Sequence, residues 1–303
     1  MPKNIIVIGG GPAGIEAALT AAKAGANVTL VGDTPIGGRA GWASLVPSKV
    51  WLHAADLLGA MQAAPALGIA LDDSARPDSN AILARIRNVM QGWNGQLVGQ
   101  LQALDVTLIT GVAVLTSPTS VRIADDDDVR EMEADAIIVA AGSVPVFPPN
   151  MRPDGKRILA PRFAKALASL PASVVVVGGG ATGTEFAYLF NRLGVDVTWV
   201  VNERGILPMF APGAGDFLRE IMTKRGVNLI VGQAATSIAT ADNGVTVALA
   251  DGLTLESEMA FLAIGRRADV SRLNVESAEL KLGPNGELVV DEYGRTSAPT
   301  VYA

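Results

Sequence analysis

The chain contains no cysteine. Disulfides, thiolate nucleophiles, zinc–thiolate centres and iron–sulfur sites are therefore excluded along its whole length. This absence assigns no compartment, because a cysteine-free chain suits reducing and oxidising surroundings alike. Histidine occurs once; His53, in VWLHAADLL, is read as a packed helix residue rather than an acid–base group. Positive charge is also short, with 24 Lys and Arg against 30 Asp and Glu and a net charge of −6. That balance argues against nucleic acid as the main partner, since phosphate binding wants clustered cations. No uninterrupted apolar run is long enough to span a bilayer. The opening MPKNIIVIGGG stops at glycines and reads as a strand, not a signal peptide, so the expected location is the cytoplasm.

What is present describes a soluble globular protein. Of the 303 residues, 49% are hydrophobic and 18% charged, enough for two domains with sizeable cores. The single charge run, Asp125 to Asp128, reads as a solvated hairpin turn. Consecutive side chains cannot all point at one ion, so no metal site is expected.

One pattern occurs twice. NIIVIGGGPAGIEAALTAAKAGANVTLVGD is an apolar run, three glycines, an Ala-rich helical stretch and a second apolar run. SVVVVGGGATGTEFAYLFNRLGVDVTWVVNE repeats that layout. Each copy satisfies Gly-x-Gly-x-x-Gly, as Gly9, Gly11, Gly14 and as Gly178, Gly180, Gly183. The first glycine makes the strand-to-helix turn and the second lets backbone approach a pyrophosphate. The third allows close helix–strand packing, and the helix N-terminus stabilises negative charge. Two copies in strand–helix context predict two dinucleotide sites in an α/β protein with two Rossmann-like domains.

Between the copies lies a helical segment from about Pro47 to Leu101, interrupted by the turn-rich DDSARPDS. A strand pair is expected around VTLITGVAVL, followed by ADAIIVAAGSVPVFPP. After the second copy come short strands in GVNLIVGQAATSIATADNGVTVALADG and then MAFLAIGRRADV. The closing GELVVDEYGRTSAPTVYA ends on an apolar run and reads as a cut.

The order of motifs is specific: glycine fingerprint, Gly-Gly…Pro-Ser-Lys, Ala-Ala-Gly-Ser-x-Pro, second fingerprint, Ala-Ile-Gly-Arg-Arg. It closely resembles the pyridine nucleotide–disulfide oxidoreductases, flavoenzymes that include dihydrolipoamide dehydrogenase, glutathione reductase and mercuric reductase. The resemblance covers essentially the whole chain and implies their three-layer FAD/NAD(P)-binding fold. Residues 1–145 plus 266–303 would form the FAD-binding domain, with its C-terminal part incomplete. Residues 146–265 would form an inserted NAD(P)-binding domain. The C-terminal dimerisation domain, with its catalytic His–Glu pair, would lie beyond Ala303, as would the Ala-Gly-Asp motif that meets FAD. A homodimer is implied for full-length family members.

The resemblance also locates a loss. The family's redox disulfide comes from Gly-Gly-x-Cys-x-x-x-x-Cys-x-Pro, and here IGGRAGWASLVPSKV has Ala40 and Leu45 at the sulfur positions. Dithiol–disulfide exchange is therefore excluded. Trp42 and Leu45 have two open readings, as lining for the face where the disulfide would sit or as core filling. Lys49 matches the lysine near flavin N5, and Glu185 matches the glutamate that pairs with it. The two are the catalytic candidates, expected to meet from different domains at low solvent exposure. A cation there favours negative charge developing on the reduced flavin.

Cofactor positions carry over in the same way. Gly9, Gly11, Pro12, Ala13 and Gly14 would meet the FAD pyrophosphate, with Gly38 and Arg39 nearby. Ala113 would lie against adenine, and Ala141 and Gly142 belong to the strand re-entering beneath the cofactor. The acid that binds the adenosine ribose aligns with Gly32, so Asp33 would substitute through a shifted turn. In the inserted domain, Gly178, Gly180, Ala181, Thr182 and Gly183 would hold the second pyrophosphate, and Gly265 would border the nicotinamide nucleotide. Val201 stands where an acid favours NADH, followed by Asn202, Glu203 and Arg204. Arg204 could attract a 2′-phosphate and Glu203 argues the other way, which leaves NADH and NADPH open with a lean to NADPH.

The implied function is an FAD-dependent NAD(P)H oxidoreductase that serves a small-molecule, non-disulfide acceptor. Acceptors of that class are a quinone, a second pyridine nucleotide or a dye. Soluble transhydrogenases and certain quinone-reducing relatives likewise lack a complete cysteine pair. The alternative is a truncated, non-catalytic nucleotide-binding protein of the same fold.

Overall fold

Short runs rich in Val and Ile become strands, and the Ala-rich stretches that follow glycines become helices. The computed structural model describes residues 1–70, 75–125, 128–211 and 213–303. In chain order it begins with β1 (Asn4–Ile8), α1 (Pro12–Lys23) and β2 (Asn27–Gly32). A short α2 (Gly38–Trp42) precedes α3 (Leu45–Ala63) and the long α4 (Ser79–Gln102). Then come β3 (Thr107–Thr110), β4 (Val112–Ser117), β5 (Ser120–Ala124), β6 (Val129–Glu133) and β7 (Ala136–Val139). After β8 (Ser143–Pro145) and β9 (Ile158–Leu159), the second glycine pattern lies between β10 (Ser173–Val177) and α5 (Ala181–Arg192). Next follow β11 (Asp196–Val201), α6 (Ala214–Lys224), β12 (Asn228–Val231) and β13 (Ala235–Ala241). The last elements are β14 (Gly244–Leu249), β15 (Thr254–Ser257), β16 (Met259–Leu262), β17 (Arg266–Ala268) and β18 (Val301–Tyr302).

These elements form two compact units. The first comprises Met1–Trp42, Val89–Val144 and Arg266–Ala303; the second comprises Ala43–Asn88 and Pro145–Gly265. Residues 43–88, expected within the 1–145 span of the first domain, thus cluster with the second unit.

The first unit is built on a five-stranded sheet in the order β18-β7-β1-β2-β3, with every neighbouring pair parallel. Side chains alternate across it. Ile6, Ile8, Ile137 and Val139 pack on one face against Leu115, Val121 and Ile123 of the antiparallel β4–β6 meander. Val7 and Leu30 face the other way, against Ile15 and Leu19 of α1 and Leu101 of α4. Full burial of each such side chain is worth about 1.5–3 kcal/mol, so both faces hold the sheet. The two strands expected as a pair in VTLITGVAVL instead belong to different sheets. Gly111 (φ +156°) divides them, where a Cβ would lie 2.8 Å from Ala124 O.

The second unit repeats the plan. Its parallel sheet runs β12-β11-β10-β16-β9. Val175, Val177, Ala260 and Leu262 pack against Ile238, Val245 and Val247 of the antiparallel β13–β15. Beside them, Phe186 and Phe190 of α5 enclose Phe261 of β16, with ring centroids 4.1 and 5.7 Å apart. The architecture is therefore α/β with two doubly wound parallel sheets. The Asp125–Asp128 run and the DDSARPDS break fall partly outside the described residues, at 126–127 and 72–74; β5 and β6 flank the former as an antiparallel pair. No helix among the described residues is long and apolar enough to cross a membrane.

Candidate functional site

Both glycine patterns sit where β-strand order reverses, at the C-terminal ends of β1 and β10, the place where such sheets bind ligands. In the first, Gly9 has φ +116°, and a Cβ there would lie 2.2 Å from Ala140 O. At Gly14 it would lie 1.8 Å from Gly9 O. Gly11, the N-cap of α1, faces open space, with nothing within 4 Å of a built Cβ. No side chain caps this helix, and Pro12 occupies its first turn. Pro12 and Ala13 are exposed.

The second pattern reproduces each feature. Gly178 has φ +123° and its Cβ would meet Ala263 O at 2.3 Å, while that of Gly183 would meet Gly178 O at 1.9 Å. Gly180 again faces open space as an uncapped N-cap, and Ala181 and Thr182 are exposed. Each unit therefore offers first-turn N–H groups with no side-chain acceptor, beside a glycine that lets a ligand approach. A dinucleotide pyrophosphate suits both cradles.

Around the first cradle, a Cβ at Gly38 would lie 2.8 Å from Gly11 Cα, so the loop from residue 36 packs directly on the fingerprint. Trp42 Nε1 and Asn94 Nδ2 both donate to Ile36 O, at 2.9 and 2.7 Å. Trp93 fills the space beside Gly37 and Gly41. Trp42 is thus half-buried and anchors this loop, whereas Leu45 is 48% exposed and fills no core. Arg39, next to Gly38, is matched by Arg266, whose Nε donates to Ser143 Oγ at 2.9 Å and whose Nη2 donates to Ser143 O. Partial desolvation lowers the Arg39 guanidinium. Desolvation, and then the positive charge of Arg39, bring that of Arg266 down to about 10. Two like charges beside a phosphate cradle make the surroundings suited to an anion.

A small, open cavity of about 70 Å³ adjoins the cradle, lined among others by Gly9, Asp33, Ala113, Ala141, Asp269 and Arg272. Asp33, Ala113 and Ala141 are gathered here as the sequence suggests; Gly142 (φ +81°) follows Ala141 and accepts at its carbonyl from Asp269 N. Asp269 and Arg272 escaped the sequence reading, because they lie far along the chain and match no motif.

In the second unit, Val201 is fully buried at the end of β11. Asn202 Oδ1 accepts from Arg204 N at 3.2 Å, and Gly205 N donates to Asn202 O at 3.0 Å. This turn leaves Glu203 and Arg204 exposed. Gly265 (φ +134°) has open space at its Cβ position.

Lys49 Nζ and Glu185 Oε2 are 2.6 Å apart. They meet within one compact unit rather than from different domains. The expected low exposure is found only for Glu185, whose side chain is 21% exposed against 52% for Lys49. The pair opens a ladder along α3 and α5. Tyr188 Oη donates to Asp56 Oδ1 at 2.6 Å, and the Arg192 guanidinium lies where a Cβ on Gly59 would be. Burial first, and then the bond to Asp56 with its negative charge, push the Tyr188 hydroxyl up. Contacts at 49, 56 and 59 against 185, 188 and 192 run in the same chain direction along the two helices, and Lys49 meets α5 at its fifth residue. Glu185 Oε1 and Thr184 Oγ1 are buried without a hydrogen-bond partner. His53, expected to be packed, is instead exposed on α3, because the packed side of that helix carries Val50, Trp51, Ala55 and Leu58.

Comparison with known proteins agrees with this geometry. The sequence profile described as pyridine nucleotide-disulphide oxidoreductase matches residues 3–303. An NAD(P)H dehydrogenase (quinone) of Mycobacterium tuberculosis is 36% identical over 100% of this chain and 64% of its own length. A dihydrolipoyl dehydrogenase of Staphylococcus aureus is 31% identical over 99% of this chain, again 64% of its own. The crystal structure of LpdA from M. tuberculosis superposes with a TM-score of 0.92 at 34% identity, covering 99% of this chain and 66% of that one. The chain thus spans just under two thirds of the length of these curated relatives.

Proposed function

Because this chain belongs to the pyridine nucleotide-disulphide oxidoreductase family yet holds no cysteine, we propose that it is an FAD-dependent NAD(P)H oxidoreductase serving a non-disulfide acceptor. A quinone is the favoured acceptor class, in keeping with the name of the M. tuberculosis relative. One observation carries the reading: two complete dinucleotide cradles accompany Ala40 and Leu45 at the positions of the family's redox sulfurs.

The first cradle would hold FAD through the N–H groups that open α1, with Arg39 and Arg266 balancing the phosphate charge. The second would hold NAD(P)H at the start of α5. A flavin held in the first cradle would supply a two-electron relay between NAD(P)H and the acceptor. Lys49 would supply positive charge to that exchange, and Glu185 would fix the ammonium through Oε2. The buried, unpaired Oε1 of Glu185 is left as an acceptor for a donor on the bound nucleotide. Leu45 presents an apolar surface that exchanges no electrons.

The test is an absorption spectrum of the purified chain, followed by NAD(P)H oxidation with a benzoquinone and with lipoamide. Bound flavin, quinone reduction and no lipoamide turnover above a free-flavin control are expected. Lipoamide reduction would overturn the reading. A colourless chain that binds NAD(P)H but retains no added FAD would replace it with a non-catalytic nucleotide-binding protein.

A further inference from the structure

The cavity beside the first cradle contains an ion pair that the glycine pattern does not require. In this fold a strand-end acid reaches the ribose hydroxyls of the adenosine, and here that position is Gly32. A Cβ at Gly32 would start 3.2 Å from Gly10 N, against the fingerprint itself. Asp33 starts one residue later, beyond the end of β2, where nothing in the strand directs its side chain to the cavity. Its carboxylate nevertheless lines the cavity, and Oδ2 accepts from Arg272 Nη2 at 2.6 Å.

The backbone around Arg272 is held in place, while its side chain is 60% exposed. Its neighbour Leu273 is buried, donates to Val270 O at 3.1 Å and accepts from Leu115 N of β4 at 2.9 Å. Asn274 Nδ2 donates back to Leu115 O at 3.3 Å. The turn carrying Arg272 is thereby tied to β4, the strand whose Ala113 lines the same cavity. A carboxylate has two oxygens and about four acceptor sites. With Oδ2 engaged, Oδ1 receives no hydrogen bond from the other described residues.

We infer that Arg272 is a positioning residue of the first nucleotide site, holding the displaced Asp33 carboxylate at the cavity so that Oδ1 can accept the ribose hydroxyls of an adenine nucleotide. This rests on the reading of the first cradle as an FAD site. Without Arg272, an Asp33 side chain already 36% exposed would rotate freely, and ordering it would fall on nucleotide binding. Lysine would restore the charge but not the planar fork.

The experiment titrates the full chain, freed of flavin, by calorimetry with FAD and with FMN, which lacks the adenosine. Saturating NADP⁺ keeps the second cradle filled, and its own binding reports that each variant is folded. Arg272→Ala and Asp33→Ala should each weaken FAD about tenfold, the double variant should be no weaker than Asp33→Ala, and FMN should be unaffected. Arg272→Lys should fall between. If Arg272→Ala leaves FAD affinity within twofold while Asp33→Ala weakens it, or if it tightens FAD, the positioning role is wrong. Equal losses for FAD and FMN would also overturn it. A wild-type chain that binds NADP⁺ but neither flavin removes the FAD reading itself, and the inference with it.

Discussion

In the first unit a Cβ on the third fingerprint glycine would stand 1.8 Å from a carbonyl oxygen, and in the second 1.9 Å. The first glycines differ by 7° in φ, +116° against +123°. Beside these matched turns the units diverge. The first has Gly32 and Asp33 at its strand end, with Arg272 paired to the acid and a loop of Gly37 and Gly38 laid on the fingerprint. The second has a buried Val201 and an exposed Glu203–Arg204 turn, and its fingerprint is covered by Gly205 and by Leu207, whose N–H donates to Gly179 O at 2.7 Å. Backbone sterics thus fix the phosphate cradle in one form, whereas the strand-end side chains and their partners are free to choose the nucleotide.

The sharpest way to break that parallel is to fill the glycines. Gly14→Ala and Gly183→Ala each force a methyl group into a carbonyl, at a cost of roughly 3 kcal/mol of unfolding free energy. Gly11→Ala and Gly180→Ala meet open space, so stability should stay within about 1 kcal/mol while affinity falls for FAD in the one and NAD(P)H in the other. Denaturant unfolding paired with nucleotide titration separates the two effects. Stability loss at Gly11 or Gly180 as large as at Gly14 or Gly183 would contradict the assigned roles.

A smaller effect is expected at the strand-end turn of the second unit. Arg204→Ala should weaken NADPH about tenfold and leave NADH within twofold, if the guanidinium meets a 2′-phosphate. Glu203→Ala should shift the ratio of the two affinities the opposite way. Parallel titrations with both nucleotides read this directly, and equal losses for both would show that the turn does not discriminate.

The smallest concerns Lys49 and Glu185. With Lys49 half-exposed, water screens the pair, so a double-mutant cycle of Lys49→Met and Glu185→Gln should give a coupling of only about 0.5–1 kcal/mol in unfolding free energy. Additive effects would mean that the ladder of Asp56–Tyr188 and Gly59–Arg192 alone sets the register of α3 on α5.

Both cradles were legible in the sequence because their causes are local: a glycine spacing, an apolar run before it and a helical stretch after it. The meeting of Lys49 with Glu185 followed from family resemblance, and 2.6 Å separates them. What the sequence hid has two physical sources. Partners far apart in the chain, such as Arg272 and Asp33 at a separation of 239 residues, leave no periodic trace. Local patterns are also ambiguous about direction. His53 lies in an apolar stretch yet on the exposed side of α3, and VTLITGVAVL looks like one strand pair until Gly111 turns the chain from one sheet into another.

The order of strands in the first unit also bears on how the chain acquires its structure. Its sheet joins β1, from the first residues, to β18, from the last, through β7 in the middle. Val301 pairs with Ile137 and Tyr302 with Ile138, so the edge strand must wait for a contact of very long sequence separation. Such closures cost chain entropy before any contact repays it, and they slow assembly. The second unit draws its whole parallel sheet from residues 158–262. During synthesis, and on refolding from denaturant, that sheet should gain amide protection first and the β7–β18 pairing last. Pulse-labelled hydrogen exchange would record this sequence of events as a delay at Ile137 and Val301.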